Sequence, residues 1–173
     1  MASKKVNIII TGGTIDSYYD GAKDTVVPLK SSILPEYFEL LRMSGKVMFT
    51  ELFMKDSRKI DSNDLKRLIR EIESSKCSKI IITHGTYTMP DTSRYLSANL
   101  ASGKTIILTG SLIPIRGFTP SDGPFNLGFS YAMAQKLPPG VYICMHGNVY
   151  KPEEVAKDMK RGMFYSIFGE KQK

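Results

Sequence analysis

The sequence predicts an α/β protein, built on an open, mainly parallel sheet with helices on both faces. Three observations predict it. Short apolar runs alternate along the chain with longer amphipathic stretches. The short runs are nearly continuous in Val, Ile and Leu, as in strands buried on both faces. The composition, 42% apolar and 24% charged over 173 residues, is an ordinary globular mixture. A chain of this size buries roughly two thirds of its unfolded surface, so its folding needs no disulfide or metal staple.

The elements follow in order. Residues 6–11 form a β-branched run that ends in a Gly-Gly turn. Residues 33–43 carry apolar side chains at 33, 34, 37, 38, 40 and 41, a helical stripe. Residues 46–54 read as a strand. Asp61 or Ser62 caps a helix through Ile72, with Leu65, Leu68, Ile69 and Ile72 on one face. Residues 79–83 form a buried strand, and Asp91 can cap a helix that carries Tyr95, Leu96 and Leu100. Residues 104–109 form the next strand. Pro124 suits the first position of a helix running to about Gln135. Residues 141–145 make a fifth strand, and Pro152 opens one more short helix. This alternation predicts a flavodoxin-like or Rossmann-like three-layer sandwich. No repeat, low-complexity tract or Pro/Gly linker divides residues 1–173, so a single domain is expected.

Composition excludes several classes. The charge balance, 24 basic against 17 acidic residues, gives +7. The basic residues are dispersed (Lys4-Lys5, Arg58-Lys59, Lys66-Arg67-Arg70, Lys160-Arg161, Lys171 and Lys173), which describes a solvated surface rather than a nucleic-acid interface. A positive field also draws anionic small molecules. The apolar stretch at 6–10 is too short for a secretory signal, which needs about 7–15 residues, and no run approaches the ~20 residues of a membrane span. A cytoplasmic protein without membrane contact is expected. Cys77 and Cys144 are far apart and lack zinc-like spacing, so they read as buried free thiols, with no metal site.

In an open parallel sheet, ligands bind beyond the carboxyl ends of the strands. Here those ends carry Thr11-Gly-Gly-Thr14, Lys55-Asp56-Ser57-Arg58, His84-Gly85-Thr86-Tyr87-Thr88, the loop 110–123 and His146-Gly147-Asn148. A crevice rich in hydroxyls is expected there. Gly13 and Gly85 let backbone approach a ligand and leave N–H groups free. Neither a Gly-x-Gly-x-x-Gly fingerprint nor a P-loop is present, and a Gly-x-Ser-x-Gly elbow is also missing. A structural turn remains open for 11–14. The alternative is nucleophilic acyl transfer, with the Thr14 hydroxyl beside oxyanion-binding N–H groups. His84 reads as a general base or, the favoured option, as a residue that orients its loop.

These motifs resemble those of the bacterial-type L-asparaginases. Thr11-Gly-Gly-Thr14-Ile15 looks like the first signature of that family, and Thr83-His84-Gly85-Thr86 with Thr88-Met89 looks like the second. Gly110, Ser121-Asp122-Gly123-Pro124-Phe125-Asn126-Leu127 and the Lys157 region follow in the same order. The resemblance spans nearly the whole chain. It implies an amidohydrolase that converts the side-chain amide of L-asparagine, or a related small amide, to the acid and ammonia. Thr14 would form the acyl-enzyme, helped by a loop tyrosine, Tyr19 or alternatively Tyr18. Thr86 with Lys157 would form a second proton-handling group, which requires burial to lower the lysine pKa. Ser57 with Asp56 would receive the substrate carboxylate, and Arg58 adjoins them. No cofactor or metal is implied, and a homo-oligomer is.

Two departures bear on this. The family carries Asp after His-Gly-Thr, to pair with the lysine and bind the substrate ammonium, whereas Tyr87 stands here. Asp56 is expected to supply the missing carboxylate. The sequence also stops near residues 166–169, where the family continues into a smaller C-terminal domain. This predicts a lone N-terminal-type catalytic domain with a more open site, weaker affinity and looser specificity. The alternative function is a non-catalytic binder or sensor of a small acidic ligand.

Overall fold

The computed structural model describes residues 5–43, 45–101 and 103–169. Lys4, Lys171 and Lys173 of the dispersed basic set lie outside them. Five parallel strands form the sheet: β1 (Val6–Gly12), β4 (Val47–Lys55), β5 (Lys79–Thr83), β6 (Thr105–Thr109) and β7 (Gly140–Met145). A short antiparallel strand, β8 (Asn148–Tyr150), adds to the β7 edge, giving the order β4-β1-β5-β6-β7-β8. Counting the parallel strands alone, this is the flavodoxin-like order 2-1-3-4-5, whose direction reverses between β1 and β5.

Alternating side chains fill two cores. Ile9, Ile80, Ile82, Ile106 and Leu108 face α2 (Ser62–Ser74) and α3 (Met89–Asn99), represented by Leu68, Ile72, Met89 and Leu96. Ile8, Ile10, Ile81 and Ile107 face α1 (Leu34–Leu40) and α4 (Gly123–Ala134), with Leu34, Phe38, Leu127 and Ala134. Each fully buried Ile or Leu contributes roughly 1.5–3 kcal/mol, which accounts for strands that are apolar on both faces.

Local signals explain most helix ends. Asp61 caps α2 by accepting from the N–H groups of Asn63 and Asp64, and Asp64 accepts in return from the Asp61 N–H. Three starts or lengths differ from the sequence expectation. α3 begins at Met89 after Thr88, because Pro90 suits the first turn, so Asp91 lies inside the helix and not at its cap. In α4, Gly123 precedes Pro124, which makes the proline the second residue. α1 ends at Leu40, short of residue 43.

The helix expected at Pro152 does not form. Residues 152–154 turn, and an antiparallel hairpin follows, β9 (Val155–Asp158) with β10 (Met163–Ser166). Pro152, two glutamates and apolar residues at 152, 155, 156 and 159 resemble a helix start, yet packing of this segment against the α3-side core selects a hairpin. Val155 and Phe164 bury in the α3-side core, and Tyr150 Oη donates to the Phe164 carbonyl at 2.9 Å. Phe164 is 5% exposed. Phe164→Ala is therefore expected to cost about 3–5 kcal/mol, read as a lowered urea midpoint.

A second hairpin, β2 (Ser17–Asp20) with β3 (Thr25–Pro28), occupies the segment after Thr14, where the sequence reading expects a loop. Asp20-Gly21 at its turn, flanked by Tyr18-Tyr19 and Val26-Val27, is a hairpin signal.

Candidate active site

The carboxyl ends of β1, β4 and β5 meet at the point where the strand order reverses. Gly13 has φ +82, and a Cβ there would lie 2.5 Å from the Gly85 nitrogen. A Cβ on Gly85 would lie 2.7 Å from Ser57 Oγ. The three loop ends therefore pack closely, and only glycine fits the two contacts. The Gly13 N–H is not free, in contrast to the sequence expectation. It donates to the Lys55 carbonyl at 2.9 Å. Ser17 Oγ holds the Gly13 carbonyl at 2.8 Å.

A cleft of ≈ 320 Å³ opens over this junction. Its lining includes Gly13, Thr14, Asp56, Ser57, Arg58, Gly85, Thr86, Tyr87 and Lys157, so the structure brings together nine of the ten residues singled out from the sequence. The hairpin adds Ser17, Thr25, Val26 and Pro28, which the sequence reading missed.

Lys157 arrives on β9, not on a surface helix. Its Nζ donates to Thr86 Oγ1 at 2.7 Å, joining residues 71 apart in sequence. Burial lowers the Lys157 pKa from its ordinary value. Among the described residues, no carboxylate lies within 4.0 Å of Lys157 Nζ. Asp56 instead accepts from Arg58 Nε at 3.0 Å and Nη2 at 2.6 Å, a forked pair. That hydrogen bonding from Arg58 holds the Asp56 carboxyl below its usual range. The Arg58 guanidinium lies 5.6 Å from the Tyr87 ring centroid.

Tyr19 is the tenth residue, and it does not line the cleft. It is 50% exposed on β2, and its hydroxyl donates to Asp24. That bond raises the phenol pKa, the wrong direction for a base. With Tyr18 it lines a neighbouring groove beside Arg116, Gly117 and Phe118.

His84 orients its loop. Nδ1 lies 2.8 Å from the Gly85 carbonyl and Nε2 lies 3.0 Å from Thr92 Oγ1. A carbonyl only accepts, so Nδ1 carries the proton and Nε2 accepts from the threonine. Burial pushes the ring pKa from 6.5 to about 4. The folded state thus resists a proton that the unfolded state accepts. The associated stability is complete above pH 6.5 and is lost as pH falls toward 4, by about 3 kcal/mol. Urea unfolding across that window should show the slope, and His84→Gln should remove it.

The third motif proves to be a scaffold. Asp122 accepts from the Leu112 and Ile113 N–H groups and from Asn126 Nδ2. Asn126 also donates to the Gly110 carbonyl at 3.0 Å and accepts the His146 N–H at 2.9 Å, tying β6 to β7. Asp16 does the same beside Thr14. It is buried, and it accepts from Ser32 Oγ at 2.7 Å and the Ile33 N–H at 3.1 Å, fixing the exit of the β2–β3 hairpin.

Fold and site define a flavodoxin-like α/β domain whose cleft, at the reversal of strand order, is lined by Thr14, Thr86 and Lys157. The chain belongs to the asparaginase family, whose N-terminal domain model matches residues 5–165. It is 28% identical over 168 residues to the glutaminase-asparaginase of Acinetobacter glutaminasificans, covering 88% of this chain and 49% of the relative. It is 28% identical over 135 residues to L-asparaginase 2 of Bacillus subtilis, covering 70% of this chain and 34% of the relative. A component of the glutamyl-tRNA(Gln) amidotransferase of Methanococcus maripaludis is also similar, 30% identical over 149 residues, with coverages of 83% and 35%. The solved thermostable L-asparaginase from Thermococcus kodakarensis superposes with a TM-score of 0.80 at 28% identity, covering 94% of this chain and 51% of that one. The chain thus spans about a third to a half of the length of these relatives. No helix among the described residues is long and apolar enough to cross a membrane.

Proposed function

We propose that this chain is an amidohydrolase that cleaves a small amide, of the L-asparagine type, to the acid and ammonia through a Thr14 ester. The observation that carries this is the Lys157–Thr86 contact of 2.7 Å in the cleft that Thr14 also lines. Thr14 Oγ1 bonds to the amide carbonyl carbon, the C–N bond breaks, and ammonia leaves with the threonine proton. Water then cleaves the ester and returns a proton to Thr14. Neutral Lys157 can accept the Thr86 proton across the same contact, making Thr86 and Lys157 a relay for these transfers. The family match and the relatives named as asparaginases support the reading.

Ammonia release from a panel of small amides, compared with a Thr14→Ala variant, tests it. Turnover that depends on Thr14 supports the reading, and turnover no greater than the variant's sinks it. The second reading, a small-ligand binder or sensor without turnover, draws on Tyr19 being held by Asp24 outside the cleft. Ligand binding without turnover would favour it.

A further inference from the structure

We propose that the site prefers amides bearing a carboxylate and no ammonium, ω-amic acids such as succinamate, over amino-acid amides. The proposal rests on the reading of Thr14 as the acylated hydroxyl.

Three lining residues are charged: Asp56, Arg58 and Lys157. Asp56 is the single carboxylate among them, and it is already occupied. Oδ1 accepts the Arg58 N–H at 2.9 Å and Nε at 3.0 Å, while Oδ2 accepts Nη2 at 2.6 Å. Lys157 adds a cation, or a neutral amine when deprotonated, but no acceptor with negative charge. Tyr87 is a phenol whose ring already faces the Arg58 guanidinium. An incoming ammonium would therefore share with Arg58 a carboxylate that already accepts three hydrogen bonds, and sit beside two basic side chains. Like charges so placed repel, and a half-desolvated cleft screens them poorly.

A carboxylate meets the opposite situation. Asp56 holds Arg58 in one orientation through a fork, leaving the Nη1 donors unused by that pair. Ser57, buried and next to Arg58, lines the same wall. Asp56 is thus a positioning residue for the guanidinium, and Arg58 is the anion receptor.

Two measurements on the full chain test this. Calorimetry compares succinate with L-aspartate, acids that differ by the ammonium group. Turnover compares succinamate and glutaramate with L-asparagine and L-glutamine. Succinate should bind at least about 10-fold more tightly than L-aspartate, with a similar ratio of kcat/KM for succinamate over L-asparagine. Arg58→Gln should weaken succinate by about 10- to 100-fold, and Arg58→Lys, which keeps charge but loses the fork, should fall between. L-aspartate binding as tightly as succinate, or neither acid binding, overturns the proposal. L-asparagine turned over best in a Thr14-dependent manner overturns it and leaves the amidohydrolase reading standing. If no amide is turned over, that reading fails, and the calorimetric ratio still decides the preference.

Discussion

Thr14→Ala is expected to lower ammonia release by at least about 1000-fold, whichever small amide proves to be the substrate. The variant keeps the Gly13–Gly85–Ser57 packing that shapes the cleft, because none of those contacts uses the Thr14 side chain. Thr14 is partly exposed, so the variant's unfolding free energy should stay within about 0.5 kcal/mol of the native value. A rapid-quench experiment on the native protein should show ammonia formed ahead of acid if ester hydrolysis is slow. Mass spectrometry should then find the acyl adduct on Thr14. A Thr14→Ala protein retaining activity within about tenfold would move the nucleophile elsewhere, and Thr86, which holds the lysine, is the next hydroxyl to test.

The second large effect concerns Lys157. Lys157→Met should reduce kcat by about 100- to 10,000-fold while KM changes far less, since the side chain is assigned to proton transfer rather than binding. Arginine should not rescue it, because a guanidinium stays protonated and cannot act as a base. The pH profile carries a sign that checks the assignment. Burial disfavours the charged ammonium, so the Lys157 pKa lies below its ordinary 10.5. In the proposed relay, activity needs the neutral amine. It should rise with pH through that lowered pKa and disappear as pH falls below it. A profile that is flat across the neutral and alkaline range, or a Lys157→Met profile of unchanged shape, would remove Lys157 from the proton relay. Because Lys157 reaches Thr86 from the β9–β10 hairpin, loosening Phe164 should also depress kcat, in addition to its cost in stability.

Much of the site is legible in the sequence, because its residues cluster just after apolar strands. Gly13, Thr14, Ser57, Gly85 and Thr86 all follow the strand ends that a parallel sheet presents to ligands. The cleft wall made by Thr25, Val26 and Pro28 is harder to read, although Asp20-Gly21 signals a turn between β-prone residues. The hairpin that delivers Lys157 looks like a helix start in sequence. Proline, acidic residues and apolar side chains at 155, 156 and 159 all mark such a start, and burial of Val155 and Phe164 in the α3-side core overrides them. The expected partnership of Asp56 also resolves differently. Its fork joins Arg58, two residues away, and leaves Lys157 to Thr86.

By itself the sequence determined the layers and the edge. Strands apolar on both faces require a sheet covered on both sides, and the tight glycine and hydroxyl turns mark the ligand edge. These are local properties, set by side-chain period and backbone preference within a few residues. The tertiary structure alone decided which strand ends become neighbours, so that β1 meets β5 and Gly13 closes on Gly85. It also decided that Lys157 crosses 71 residues to reach Thr86. Strand order and side-chain pairing follow from the packing of distant surfaces and from distances of a few ångströms between charges. No window of sequence contains either quantity.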